Sequence, residues 1–466
     1  MTVVRLLIAL GFPVILGLAL MRRLHADRLL STGARIPCAF ALGMGMVSHW
    51  MLLMTIAGVG YSMVSLHVPL AVIAAALWLT AGGNHADTPS PPHDTPAGGW
   101  RTAALVLICA FIIYMTVFIG VRALMVPIME WDAISWIALK AKILFYENGA
   151  IPIAKLPNSA YPLQVPLSLA WIAFHLGEWS ETLIKVLFPV YYLLFALFLY
   201  STARLYVDRL WAAVCTALFL SVLFAPYHAT IAYRDTVMMN YFCGGMLVLV
   251  HWLKNTRSPL LWIAAILLGL GSFVKLEGAL YMGLGLMILA AAVLLYGPRE
   301  RFAKIRVTGI SGAISAGIFA IYFIYKNLIG ATHATQDTAV HSAGGIGSRL
   351  WEVLTAVCRE LFLSGNWHIL WALFALSIWL PADRSRQAAR LVTAVTVIAF
   401  ITVYIGLGTL TGIYKSILGL GSSGVLPRIF IHVYPLAVLS ICLAAAERPD
   451  CVGAGHPQQE GNVDER

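Results

Sequence analysis

Charge is what this sequence has least of. Only 11% of its 466 residues are Asp, Glu, Lys or Arg, whereas a soluble domain carries about 25%. With 60% hydrophobic residues and a mean hydropathy of +0.83, so little ionic surface excludes an ordinary soluble enzyme. A cysteine pattern is missing as well. Cys38, Cys109, Cys215, Cys243, Cys358, Cys442 and Cys451 show neither metal-ligand spacing nor a disulfide framework. Most lie inside apolar runs and read as small buried hydrophobes. No nucleotide-binding glycine motif is present either. Gly344-Gly345-Ile346-Gly347 lacks the Lys-Ser/Thr of a phosphate-binding loop, which argues against an ATP-driven mechanism. Nor does a small-residue cleavage site end the first apolar run, Val3–Leu20. Met21-Arg22-Arg23 follows it directly, so it reads as a retained span rather than a signal peptide.

What the chain does have is long apolar runs. Leu105–Val121, Ala264–Val274 with its flanks, Leu280–Leu295 and Leu391–Leu407 approach or reach the roughly 20 residues a bilayer span requires. Lipid cannot satisfy an exposed backbone, so such runs cross as helices. The pattern predicts an all-α polytopic membrane protein of about 13 transmembrane helices.

The formal charge of +10 is distributed as short basic clusters between the runs, not as a nucleic-acid footprint. The clusters are Arg22/Arg23/Arg28/Arg35, Arg204/Arg209, Lys254/Arg257, Arg299/Arg301/Lys304/Arg306 and Arg384/Arg386/Arg390. Placing all five in the cytoplasm, as the positive-inside rule asks, permits one consistent threading with the N-terminus outside. Residues 1–81 then hold three leading spans, and 82–101 form a cytoplasmic linker rich in Pro. Residues 102–446 form the main transmembrane domain, and 447–466 a cytoplasmic tail expected to be disordered. The run at Pro162–Gly177 is too short and Pro-flanked to cross, and reads as a juxtamembrane or re-entrant helix within an outer loop, 126–178. A bacterial inner (plasma) membrane is the expected location.

This threading gathers several polar segments on the outer side: Pro127–Tyr161, Pro226–Asp235, Lys275–Glu277, Lys326–Trp367 and the loop Thr409–Arg428. The richest stretch runs from Glu130-Trp131-Asp132 to Lys140-Ala141-Lys142. There a carboxylate can hold or deprotonate an acceptor while a cation receives a departing phosphate. A blander reading is an interfacial helix with a capping acid at Asp132 and snorkelling lysines. Tyr233-Arg234-Asp235 places an acid against an apolar run, where an unpaired carboxylate is costly. Lys275 and Glu277 read as a charged outer turn or as the rim of a cavity. Arg428 heads the last span at the end where the positive-inside rule disfavours a cation, and its guanidinium suits phosphate oxygens. The outer segment 326–367 contributes His333, Asp337, His341 and Arg349, with His368 just past its end. The histidine spacing is too irregular for a metal site.

The order of these motifs resembles the GT-C superfamily of membrane glycosyltransferases. It combines an acidic motif after a span, Tyr161-Pro162-Leu163-x-x-Pro166-Leu167, an outer Arg234-Asp235 pair and a late Pro427-Arg428. The protein O-mannosyltransferase-like and lipid A aminoarabinose transferase-like members are the most similar. The resemblance covers Leu105 to Leu443 and leaves the three leading spans outside it. It implies an outward-open membrane transferase that takes a sugar from a polyprenyl-phosphate donor to a glycan, lipid or protein acceptor. Asp132 or Glu130 maps to the acceptor-activating acid and Asp235 to the second-loop acid. Lys140, Lys142, Arg234 and Arg428 are candidates to hold the phosphate. The mannosyltransferases carry adjacent acids, whereas Trp131 separates them here. No cofactor is implied with certainty, though a divalent cation is compatible with the chemistry. The rival classes are a secondary transporter of a small polar or lipid-linked solute, and a non-catalytic assembly factor. A transporter is expected to show internal repeats and midplane charges, and neither is visible.

Overall fold

The computed structural model describes residues 1–82, 98–328, 330, 345–381, 383–411, 417–418 and 425–446. The linker at 83–97, most of the segment 329–344 with His333, Asp337 and His341, and the tail 447–466 lie outside the described residues. Those described form helices and connecting turns, with no strand among them.

In chain order the helices are α1 (Thr2–Arg23), α2 (Thr32–Ile56), α3 (Met63–Leu79), α4 (Gly99–Met125), α5 (Leu139–Tyr146), α6 (Gln164–Leu176), α7 (Glu181–Ile184), α8 (Leu187–Ala203), α9 (Arg209–Ser221), α10 (Phe224–His228), α11 (Asp235–Asn255), α12 (Ser258–Gly271), α13 (Gly278–Tyr296), α14 (Arg301–Leu328), α15 (Ile346–Phe362), α16 (Leu370–Trp379), α17 (Arg384–Leu410), α18 (Val425–Ile431) and α19 (Tyr434–Ala445). Among the described residues, eight helical segments are long and apolar enough to cross a membrane. A ninth arises if α18 and α19, which meet at a 51° bend, form one broken span. Five apolar helices of 10–17 residues, α3, α6, α9, α12 and α16, fall short of that length. This is an integral multi-pass membrane protein.

Packing follows from small residues where helices cross. A Cβ at Gly43 would collide with the Pro13 carbonyl, and one at Gly17 with the Ala39 carbonyl. The α1 and α2 backbones therefore touch, which is how helices without a hydrophobic driving force associate in lipid. At the centre stands α11, buried on every face from Asp235 to Trp252, as expected of a helix apolar all round. By contrast α4 is mostly exposed, with Val106, Leu107, Ile113 and Tyr114 on its surface, and offers that surface to lipid.

The helix α6 is 13 residues long and almost wholly buried. At 1.5 Å per residue it covers about 20 Å, short of the roughly 30 Å hydrocarbon core. Its first residue, Gln164, donates to Tyr241 on α11, while Arg5, near the start of α1, donates to the Leu176 carbonyl at its far end. One end thus sits inside the bundle and the other at its outer edge.

Four of the five basic clusters gather at one end, those around Arg28, Arg204, Lys254 and Arg386. Asn255 donates to the Leu29 carbonyl (3.3 Å), Lys254 lies 4.6 Å over the Tyr206 ring, and Arg101 pairs with Asp208. Asp383 and Arg386 come within electrostatic range of Lys254. Asp235 lies at the other end of α11, about 30 Å away along the helix axis. Four cysteines, Cys38, Cys215, Cys243 and Cys442, are buried as expected, but Cys109 and Cys358 are exposed on helix surfaces.

Candidate functional site

The polar end is organised by one fully buried carboxylate. Asp235 opens α11 with no exposed side-chain surface. Its Oδ1 accepts from Lys275 Nζ (2.9 Å) and His432 Nε2 (3.0 Å), and its Oδ2 from Arg428 Nε (3.1 Å). Lys275 comes from the turn between α12 and α13. Arg428 belongs to α18, and His432 sits in the break before α19. That break leaves local backbone outside either helix and lets His432 point at Asp235. A buried acid survives only when paired and hydrogen-bonded, and Asp235 has three donors.

Arg428 extends the network outward. Its Nη1 donates to Asp132 Oδ2 at 2.8 Å, so one guanidinium bridges Asp132 and Asp235. The Arg428 side chain is 20% exposed and Asp132 40%, which places Asp132 at the mouth. Arg428 also lies 4.3 Å over the Tyr233 ring. Asp132 makes no side-chain capping bond to the helix after it, contrary to the capping expectation. That helix opens with a π-helical stretch, Ala133–Ala138, a local widening common at functional positions. On the inner side of Asp235, His432 Nδ1 meets Tyr281 Oη at 2.9 Å, and Tyr281 bonds Tyr404. This chain leads from the carboxylate into the bundle.

A second cluster lies beside the first. Lys140 is fully buried, donates to the Asn158 carbonyl (2.7 Å), and sits 5.9 Å from the centroid of the Tyr161 ring. Arg234 is 6% exposed and lies 5.3 Å over the same ring. Its Nε and Nη2 are buried without a hydrogen-bond partner. Asp132, Asp235 and Glu277 are within electrostatic range of Arg234. Burial, reinforced by the Arg234 charge, pushes the Lys140 ammonium down to about 7. Glu277 experiences burial that would raise its carboxyl, yet neighbouring Lys275 holds it below its ordinary value.

The sequence-predicted residues therefore separate. Asp132, Asp235, Lys275 and Arg428 meet in one network, while Lys140 and Arg234 meet around Tyr161 with Glu277 nearby. Glu130 stays apart: its carboxylate contacts the Met129 amide (3.4 Å) and lies in range of Lys185 and Tyr233. Lys142 is exposed, because residues two apart on a helix point to different sides. His432, Tyr281 and Tyr404 were missed as site residues. The helix-breaking Pro435 just after His432 was their available signal.

A groove of about 530 Å³ runs past Leu426 and Pro427, its walls mixing Trp351 with the charged Glu352, Arg359 and Glu360. Among the described residues, no three His, Cys, Asp or Glu side chains group so as to hold a metal ion. Comparison with known proteins returns no match to a family model, a curated protein or a solved structure.

Proposed function

We propose that the protein is a GT-C-like glycosyltransferase of the bacterial inner membrane, using a polyprenyl-phosphate-linked sugar on the outer side. In this reading the eight long helices, the bent pair and α3, α9, α12 and α16, each completed by the residues that flank it, make 13 crossings, while α6, whose first residue ends inside the bundle against Tyr241, does not cross. The observation that carries the proposal is a carboxylate, Asp132, within electrostatic range of a buried cation, Arg234, whose Nε and Nη2 have no hydrogen-bond partner. Donors already buried and aimed need no reorganisation when a phosphate oxygen develops charge.

The reaction is a single displacement. Asp132 takes the proton from an acceptor hydroxyl, and the hydroxyl oxygen attacks the anomeric carbon. The bond from that carbon to the phosphate oxygen breaks, its electron pair leaves with the polyprenyl phosphate, and the configuration inverts. Arg234 and Lys140 receive the phosphate. Arg428 holds Asp132 in place through a carboxylate–guanidinium bond. The groove beside Pro427 offers the prenyl chain a course toward the site. The acceptor is a glycan, lipid or protein.

The test is transfer from a labelled polyprenyl-phosphate sugar in membranes, comparing wild type with Asp132→Asn and Arg234→Met at matched protein levels. Loss of transfer in both is expected; full transfer in both overturns the assignment. A secondary transporter is the second reading, favoured by the chain Asp235–His432–Tyr281–Tyr404, which suits a proton path. Uptake of solute into vesicles without any transfer product distinguishes it. Orientation is tested by cysteines introduced at Ser135 and Arg299: only the first should react with an impermeant reagent from outside.

A further inference from the structure

Away from the site, two histidines from distant parts of the chain meet. His67, near the start of α3, and His175, near the end of α6, bring their Nε2 atoms to 2.9 Å of each other. The other nitrogen of each ring is already committed. His67 Nδ1 donates to the Met63 carbonyl (2.9 Å) and His175 Nδ1 to the Trp171 carbonyl (2.8 Å). A carbonyl oxygen only accepts, so both Nδ1 atoms carry hydrogen. Two neutral rings in that tautomer would then oppose lone pair to lone pair at hydrogen-bond distance. One additional proton between the Nε2 atoms removes the conflict. A metal ion does not fit the gap, since two N–metal bonds of about 2.0 Å at the tetrahedral angle would hold the nitrogens about 3.3 Å apart.

Burial decides which ring holds the charge. His175 is 3% exposed and His67 is partly exposed, so desolvation penalises an imidazolium at His175 more. Phe12 lies 5.0 Å from the His67 ring, while Trp171 neighbours both rings, 4.9 Å from His67 and 4.2 Å from His175, centroid to centroid. A cation over an aromatic face is stabilised. Other titratable groups on the packed elements are engaged elsewhere. Arg5 of α1 donates to the Leu176 carbonyl, His49 of α2 bonds the Gly45 carbonyl, and Lys140 of α5 bonds the Asn158 carbonyl. Lys142 of α5 and Glu178 beyond α6 are exposed, Glu181 opens α7, and Asp132 pairs with Arg428.

We propose that His67 and His175 form a one-proton clasp that fastens the three leading helices to α6 and loosens as pH on that side rises. With the shared proton present, His67 donates to His175. When the proton leaves to solvent, the bond between the rings survives only if one of them gives up its Nδ1 bond to a carbonyl. The other end of α6 begins three residues after Tyr161, the ring under Lys140 and Arg234. The clasp therefore links the otherwise unassigned leading helices to the segment that carries this ring. It rests on none of the catalytic assignments above.

The test uses the full chain in lipid nanodiscs with ¹⁵N-labelled histidine, observed at pH about 5.5 and about 8, either side of the ordinary histidine range. A through-hydrogen-bond coupling between two imidazole nitrogens is expected at the lower pH and should vanish at the higher. It should be absent at both in His67→Gln and His175→Phe. His67→Gln can donate through its amide at either pH. The change in apparent Tm between the two pH values should therefore be smaller in His67→Gln than in wild type. If His175→Phe does not fold, His67→Gln carries the test alone. An unchanged pH response in His67→Gln, a Nδ1 found unprotonated on either ring at low pH, or a metal bound between the rings overturns the clasp.

Discussion

Two pairs of cations occupy neighbouring positions at the polar end, and the structure treats them oppositely. Arg428 and Lys275 are bonded to carboxylates, with Asp235 between them. Lys140 and Arg234 are at least as buried, yet the hydrogen bond of Lys140 goes to a carbonyl, and two Arg234 nitrogens have none. The first pair is held by its charges, whereas the second is held in spite of them. Burying an unpaired charge costs several kcal/mol, so packing around Tyr161 must sustain that arrangement. In the proposed function this cationic cluster is the place for the donor's phosphate.

The size of a mutational effect tests this contrast most severely. Asp235→Asn should have the largest effect, a loss of about 3–5 kcal/mol, because Arg428, Lys275 and His432 lose their common acceptor. A drop in apparent Tm of the purified protein reads it. Arg234→Met should cost far less, because two of its buried nitrogens have no hydrogen-bond partner to lose, while abolishing binding of a polyprenyl phosphate. A clear loss of stability there would show that Arg234 is paired after all. Asp132→Asn should cost only about 1 kcal/mol, since its bridge to Arg428 is partly exposed, yet stop transfer. Glu130→Gln should change least in both readouts.

Lys140 sharpens the contrast through pH. Its folded value near 7 lies below the ordinary lysine value. Between these values the unfolded chain binds the proton and the folded one does not, so this group adds stability as pH rises through that window. Its destabilising contribution is fully present below about 7. Anion binding runs the other way, strongest where Lys140 is charged and weakening as pH rises through about 7. Arg234→Met, which removes the repelling neighbour, should raise the pH at which the gain in stability begins, read as apparent Tm against pH.

Much of this region was legible from single residues, for identifiable reasons. Arg428 stood out because it disobeys the charge rule for membrane loops, and Asp235 because it adjoins an apolar run. Their partners were not legible. Asp132 and Glu130 are two residues apart and chemically alike, and only the path of the chain into the π-helical stretch decides that Asp132 meets Arg428. Lys140 and Lys142 pose the same problem, since helix phase buries one and exposes the other. His432 looked like part of a span, because a break of two residues between apolar helices leaves no hydropathic signature. The His67–His175 contact joins residues 108 positions apart, and nothing local to either announces the other.

Composition and hydropathy by themselves determined that this is a helical membrane protein, because a lipid solvent imposes apolarity and internal hydrogen bonding on every crossing segment. Basic clusters likewise indicated which loops share an end. Which acids and bases meet there was decided only by the tertiary structure. Side-chain pairing depends on helix rotation, on the bend at His432 and on the seating of α6. Those follow from packing among segments hundreds of residues apart, where a shift of one residue exchanges a buried partner for an exposed one.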